Sequence, residues 1–508
     1  MRRGILGTIV ALVTGAGVAW GQAPMPIAKA GGVPPAVMAG DIIQADGPAP
    51  VIMPPLSVGP PNDPMGLGPT AGLGQPPGPM YPMPGPYAEP LFQPPPSNEG
   101  GYGSVPRWEV WGNYSLWFNK SMAVPIPLLT TGAPNQGGVL GASSTLVLSG
   151  GGTFNYGALN GMQLGGSFWG DEDRRFGMYV DGFYTANKTI SQKFAMTGNG
   201  PGGQGSADLP ILSRPYFDST FGNTSLILGG PGTGISSAVV STSSQTWGVE
   251  ASGMWNLYRT APSEKWFLSL DAMLGYKFTE LRETLSVSSV TTINGTTSTP
   301  VFTINPATGF PILSGISTTP IFVPVGGVFV SSPGQIAISD RFTTTNLFNG
   351  TTFALRGEAR YGMFSLEAIG KIGLGDMHQI VDIAGFTYVQ NTTTTTVPGN
   401  LGTAYGGLLA NASNIGRFQH DDFSFIPEAT LNVGINLTRS LSAFVGYNFM
   451  YMTHVVRPGD QVSPNVDSTT VPLSVRYGNI NSTPAPTITF NQTSYYLMGV
   501  NFGMAFKY

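Results

Sequence analysis

The residues of this sequence that could do chemistry are charges of both signs set at every second position of otherwise apolar runs. They are Glu250, Asp271, Lys277, Arg356, Glu358, Arg360, Glu367, Lys371 and Glu428. Side chains in an extended chain alternate between two faces, so Arg356, Glu358 and Arg360 share one face, as do Glu367 and Lys371 on the run that follows. Such a face could line a polar passage and select solutes. The same charges could equally pair off into a salt-bridged plug. Both readings stay open.

Three histidines, His378, His420 and His454, fall at the ends of runs, with Asp376, Asp421 and Asp422 beside them. Brought together at a rim they could activate water, which gives a third reading as a hydrolase. No spacing among them forms a ligand motif, so no metal and no cofactor is expected. Gly198-Asn199-Gly200-Pro201-Gly202-Gly203 lacks the following Lys-Ser/Thr of a phosphate cradle and reads as a loop. Cysteine is absent, which removes disulfides, thiolate metal sites and cysteine nucleophiles.

The elements that must position these charges are strands. From Met498 to Tyr508 every second residue is large and apolar (Met498, Val500, Phe502, Met504, Phe506, Tyr508), and Gly499, Asn501, Gly503, Ala505 and Lys507 fill the gaps. An unpaired terminal strand of this kind would recruit other chains, so it must be paired on both sides. Closing a sheet into a barrel does this, and in an outer membrane the apolar side would face lipid. The aromatic positions Phe502, Phe506 and Tyr508 are the expected mark read by barrel-assembly machinery.

The same alternation runs through Trp108–Phe118, Gly157–Trp169, Phe176–Tyr184, Trp247–Leu257, Trp266–Phe278, Phe353–Tyr361, Phe364–Leu374, Pro427–Leu437 and Leu441–Tyr451. Connections within each pair are short. Those between pairs (Thr185 to Thr246, Thr279 to Thr352, Gly375 to Phe425, Met452 to Ser494) are long and rich in Thr, Ser, Asn and Gly. That is the pattern of short periplasmic turns and long outer loops. The expected fold is therefore all-β: a closed antiparallel up-and-down transmembrane β-barrel of about 10–12 strands. Glu280 and Arg282 fall on the lipid parity just after Phe278 and should mark the upper edge of the bilayer.

Composition agrees. Only 10% of the 508 residues are charged, against roughly 25% in soluble domains, and 71 glycines with 44 prolines exclude a mostly helical protein. Net charge is −4 with no basic cluster after Arg2 and Arg3, so nucleic acid is not an expected partner. Residues 1–21 read as a signal peptide, with Met1-Arg2-Arg3 before the apolar run Gly4 to Val18. Residues 22–106 read as a disordered Pro/Gly-rich periplasmic arm, with cell wall as a candidate partner. Residues 107–508 carry the barrel, and outer-membrane lipid is its expected surrounding.

Tyr114-Ser115-Leu116-Trp117-Phe118-Asn119-Lys120, Pro125-Ile126-Pro127-Leu128-Leu129-Thr130-Thr131-Gly132, Gly138-Val139-Leu140-Gly141, Asn155-Tyr156-Gly157-Ala158-Leu159-Asn160-Gly161 and Gly182-Phe183-Tyr184 stand together near the start of this region. As a set they resemble the opening of the seventh putative beta-barrel porin family. The chain departs from that pattern where the family carries an Arg near Gln163 and a second Trp near Phe118. The resemblance implies a bacterial outer-membrane barrel with passive passage of small hydrophilic solutes, and it supplies no catalytic residues. The alternative is a plugged structural or surface-interaction barrel acting through its long outer loops.

Overall fold

The computed structural model describes residues 107–508 apart from 172, 197–209, 232–233, 261–265, 305, 307–310, 326–327, 393–401, 480–484 and 489. The signal peptide and Pro/Gly-rich arm expected at 1–21 and 22–106, and the Gly-rich loop at 198–203, lie outside the described residues.

Ten strands form the body of the molecule: β1 Trp108–Asn119, β2 Ala158–Trp169, β3 Phe176–Thr185, β4 Ile235–Arg259, β5 Trp266–Ile293, β6 Val328–Tyr361, β7 Phe364–Thr392, β8 Gly416–Asn436, β9 Leu441–Val456 and β10 Gln492–Lys507. Each pairs antiparallel with the next in sequence. The last returns to the first, from Glu109↔Lys507 to Asn119↔Leu497. The pairings thus form a ring of ten, and β10, the strand that had to be paired on both sides, lies between β9 and β1.

Strand β5 shows why these residues take these places. Trp266, Leu268, Leu270, Leu274 and Tyr276 are exposed on the outer face, and Ser269, Asp271, Met273 and Lys277 are buried on the inner one. After Phe278 the chain keeps its register but the chemistry changes sides. Glu280, Arg282, Thr284 and Ser286 now point outward, while Leu281, Leu285, Val287 and Ile293 are fully buried within the ring. From Trp266 to Phe278 the strand rises about 40 Å at ~3.3 Å per residue. Tilted by about 40° this covers roughly 30 Å, the thickness of a bilayer's hydrocarbon. Rings stack at both ends of this band: Trp108 on Phe168 at 4.3 Å and Trp266 on Tyr361 at 4.5 Å beside the short turns, and Trp247 on Phe278 at 5.2 Å beside the polar extension.

The structure corrects the sequence reading in two places. Much of what was expected as long outer loops is strand: Thr279↔Phe348 through Ile293↔Gly334 continue the β5–β6 ladder, and β7 runs on to Thr392. Thr, Ser and Val suit an extended pleated chain as well as they suit a loop. In addition, Leu270 pairs with Tyr258 while Asp271 pairs with Asn256. The resulting bulge makes Leu257 the extra residue and brings Tyr258 onto the outer face.

Above the band a second sheet, built from Met122–Thr131, Leu146–Phe154, Leu212–Asp218, Gly222–Gly229 and Asn465–Val466, packs against the inner face of the extension. Its Met122, Leu128, Leu129, Leu212 and Leu228 share one core with Leu281, Leu285, Phe342 and Val381. Burying side chains of this size contributes about 1.5–3 kcal/mol each, so this crown is held as a soluble core is.

The change of face sets opposite costs along one strand pair. Leu274→Arg, within the apolar band, should destabilise the folded protein by roughly 2–4 kcal/mol. Ser237→Arg, outward on the extension of β4, should stay within about 0.5 kcal/mol of wild type. Denaturant unfolding from lipid vesicles measures both, and equal costs would contradict the two-solvent reading.

Candidate functional site

Inside the band the ring carries the charges singled out above. Glu250, Asp271, Lys277, Arg356 and Lys371 are buried, on the four inner faces that the parity of β4, β5, β6 and β7 turns toward each other. The ladder pairings hold the strands in register, so each charge meets partners at a fixed height. Lys277 on β5 reaches Glu250 on β4 at 3.4 Å and Glu428 on β8 at 2.5 Å. Lys371 on β7 reaches Glu250 at 3.1 Å and Asp181 on β3 at 3.3 Å. Arg356 on β6 binds Glu367 on β7 at 2.6 Å and Glu109 on β1 at 3.2 Å. Lys507 on β10 lies 3.3 Å from Glu109 and 3.6 Å from Glu358. Arg360 holds Glu358 at 2.6 Å through Nε, and Asn256 donates to Asp271 at 2.6 Å.

Strands β5 and β8, β7 and β3, and β6 and β1 are not neighbours in the ring, so these bonds cross its interior. Lys277, Lys371, Arg356 and Lys507 each bridge two carboxylates. Stripping an ion of water costs several kcal/mol, and only multiple good partners offset it. Neutral polar groups fill the intervening level: Gln163 Oε1 accepts from Asn113 at 3.0 Å and from Asn448 at 2.9 Å, and Asn432 donates to Glu367 at 2.9 Å. Two small cavities of ≈ 50 Å³ each lie among these groups, and they meet at Trp111, Glu367 and Asn432.

All nine predicted charges lie on the inner face, eight of them in two ion-pair clusters, one around Lys277 and Lys371 and one around Arg356 and Arg360, while Asp271 is held by Asn256 and Ser269. Arg356 pairs with Glu367 on the adjacent strand, while Lys371 reaches across the interior to Asp181 and also holds Glu250. Phe502, Phe506 and Tyr508 are exposed on the outer face. The histidines are not gathered: His378 pairs in register with Asp421, its Nδ1 2.5 Å from Oδ1, while Gln379 pairs with His420. Adjacent residues face opposite ways, so His378 points outward and His420 inward, where it stacks on Phe490.

The sequence reading passed over two buried ion pairs that fasten the crown to the ring. Arg457 binds Glu283 with two hydrogen bonds of 2.7 Å and donates to the carbonyls of Ser121 at 2.7 Å and Lys120 at 3.1 Å. Arg214 pairs with Asp340, whose other oxygen accepts from the backbone of Leu409 and Ala410 at 3.0 and 2.7 Å. Burial alone would lower the Arg457 guanidinium's pKa, but the Glu283 charge outweighs it and leaves it raised. Burial, and then the Arg457 charge, hold the Lys120 ammonium below its ordinary value. A signal was present: Glu283 stands between Leu281 and Leu285, and Asp340 between Ile338 and Phe342, each an acid within an apolar stripe.

A family model described as Putative beta barrel porin-7 (BBP7) matches residues 111–310 and 329–508. The chain belongs to this family. The resemblance read from Trp108 to Tyr184 thus extends over most of the sequence, and the fold is a porin-like outer-membrane β-barrel. No curated protein matches the chain. Among solved structures, the outer-membrane protease OmpT of Escherichia coli aligns at 12% identity and TM-score 0.33, over 81% of this chain and 100% of that one. The toluene transporter TodX of P. putida aligns at 8% identity and TM-score 0.17, over 79% and 89%. Neither likeness bears on what this BBP7 member does.

Removing one partner of a buried pair strands the other charge, which costs about 3–5 kcal/mol. Glu283→Leu should therefore loosen the crown by that amount, and Glu283→Leu with Arg457→Met should recover most of it. Guanidinium unfolding of the two variants checks this, and equal losses would show that Arg457 is satisfied by the Ser121 and Lys120 carbonyls alone.

Proposed function

We propose that this BBP7 protein is a bacterial outer-membrane porin that passes small hydrophilic solutes through a lumen its own ion pairs narrow. The observation that carries the reading is the set of bonds across the interior, Lys277 to Glu428, Lys371 to Asp181 and Arg356 to Glu109. Polar groups of both signs line the route through the band, as aqueous passage needs, and in a ten-strand ring side chains fill much of that width. An ion pair can part when a hydrated solute replaces both partners, because water returns the solvation that burial removed. Lipid would surround the band, and Phe502, Phe506 and Tyr508 would serve its assembly.

A second reading is favoured by the crown. Its core of Leu, Val and Phe side chains is held by the exclusion of water, so a barrel sealed there would act through its outer surface.

In planar bilayers the wild type should give small, infrequent conductance steps. Arg356→Ala, which removes the bond across the lumen to Glu109 together with the one to Glu367 on the adjacent strand, should raise unitary conductance several-fold. Silence from both proteins, each shown to be folded by a shift in gel migration on boiling, would overturn passage and leave the sealed barrel.

A further inference from the structure

We propose that the mouth of the lumen beside the short turns binds a small oxyanion, a phosphate or carboxylate group, on Arg259. Five side chains converge there. The Arg259 guanidinium lies 5.7 Å from the ring centre of Trp169 and 5.6 Å from that of Phe267, and Arg360 lies 4.9 Å from Phe267 on its own account. Arg174, in the turn between β2 and β3, has a left-handed backbone (φ 51°), is buried, and feels the charges of both Arg259 and Arg360.

The carboxylates nearby are committed elsewhere. Glu358 is held by Arg360 and approached by Lys507. Asp271 accepts from Asn256 at 2.6 Å and from Ser269 at 3.4 Å. Both attract Arg259 through space, yet among the described residues no carboxylate lies within 4 Å of it, and its buried Nε makes no hydrogen bond.

The other basic residues on the inner face of the band each hold a carboxylate, so the unmatched guanidinium at the entrance is the exception. Two aromatic rings lie against it at cation–π distance. A guanidinium fork presents parallel N–H donors that match the two oxygens of a carboxylate or phosphate. Arg360, whose side chain is 30% exposed, shows that solvent reaches this level of the lumen. The role of the site in transport rests on the porin reading and gives that passage its solute class, small organic or inorganic anions. Binding itself does not depend on conduction.

The test is calorimetric titration of the full chain, folded in detergent, with inorganic phosphate at low ionic strength. Wild type should bind one phosphate with Kd on the order of 1 mM. Arg259→Gln should weaken this at least tenfold, Arg259→Lys should fall between, and Arg439→Gln, on the β8–β9 turn, should leave it unchanged. Boiling-shifted migration confirms that each variant is folded. A folded wild type that gives no saturable heat, or an Arg259→Gln protein that titrates like wild type, overturns the site. Phosphate binding in a protein that never conducts upholds the site and sinks only the passage reading.

Discussion

Everything in this molecule depends on the ladder between Trp108–Asn119 and Gln492–Lys507. A strand in lipid has no water to satisfy its amides and carbonyls, and each orphan costs several kcal/mol. The ends of the chain must therefore find one another across the whole sequence. Trp108 and Tyr508 exchange backbone hydrogen bonds at 2.7 and 2.8 Å, and Tyr114 sits opposite Phe502. Once this ladder forms, the ring has an inside, and the charges on β4 to β7 acquire partners that their own sheet neighbours do not supply.

The second constraint is that one continuous strand meets two surroundings. Along β5 the outer face changes from Leu274, Tyr276 and Phe278 to Glu280 and Arg282, and the inner face from Asp271 and Lys277 to Leu281 and Leu285. The backbone does nothing different at this level. What changes is which face water touches, and the crown sheet is there because the apolar inner face of the extension needs something to pack against. Lipid covers one half of the ladder from outside, and Met122, Leu128 and Leu212 cover the other half from within.

This also explains how much could be read in advance. Strands such as Phe364–Leu374 were legible because bulky apolar residues alternate with small or charged ones, and the nine inner charges followed from parity alone. The extensions were missed because Thr and Ser on the outer face resemble loop composition, although Leu281, Leu285 and Val287 keep the same period of two. The partner of Lys371 was not legible at all. Asp181 lies 190 positions away, and only the curvature of the ring brings β3 opposite β7. Arg259 was hidden for a related reason, since the bulge at Leu257 shifts the parity that places it inside.

The two fillings of the ring differ in how they can yield. A core such as that of Leu285, Phe342 and Val381 gains its stability from exclusion of water, so any opening loses the whole contribution of each side chain exposed. An ion pair is nearly balanced between attraction and lost hydration. Parting Arg356 from Glu109 in the presence of water therefore costs far less than the bond's strength in a dry interior suggests. The interior of the band is thus the part of this structure that water can part at low cost, and the crown is the part that resists opening. Glu283 with Arg457 and Asp340 with Arg214 sit at the junction between them, where a stranded charge would make the crown costly to detach from the ring.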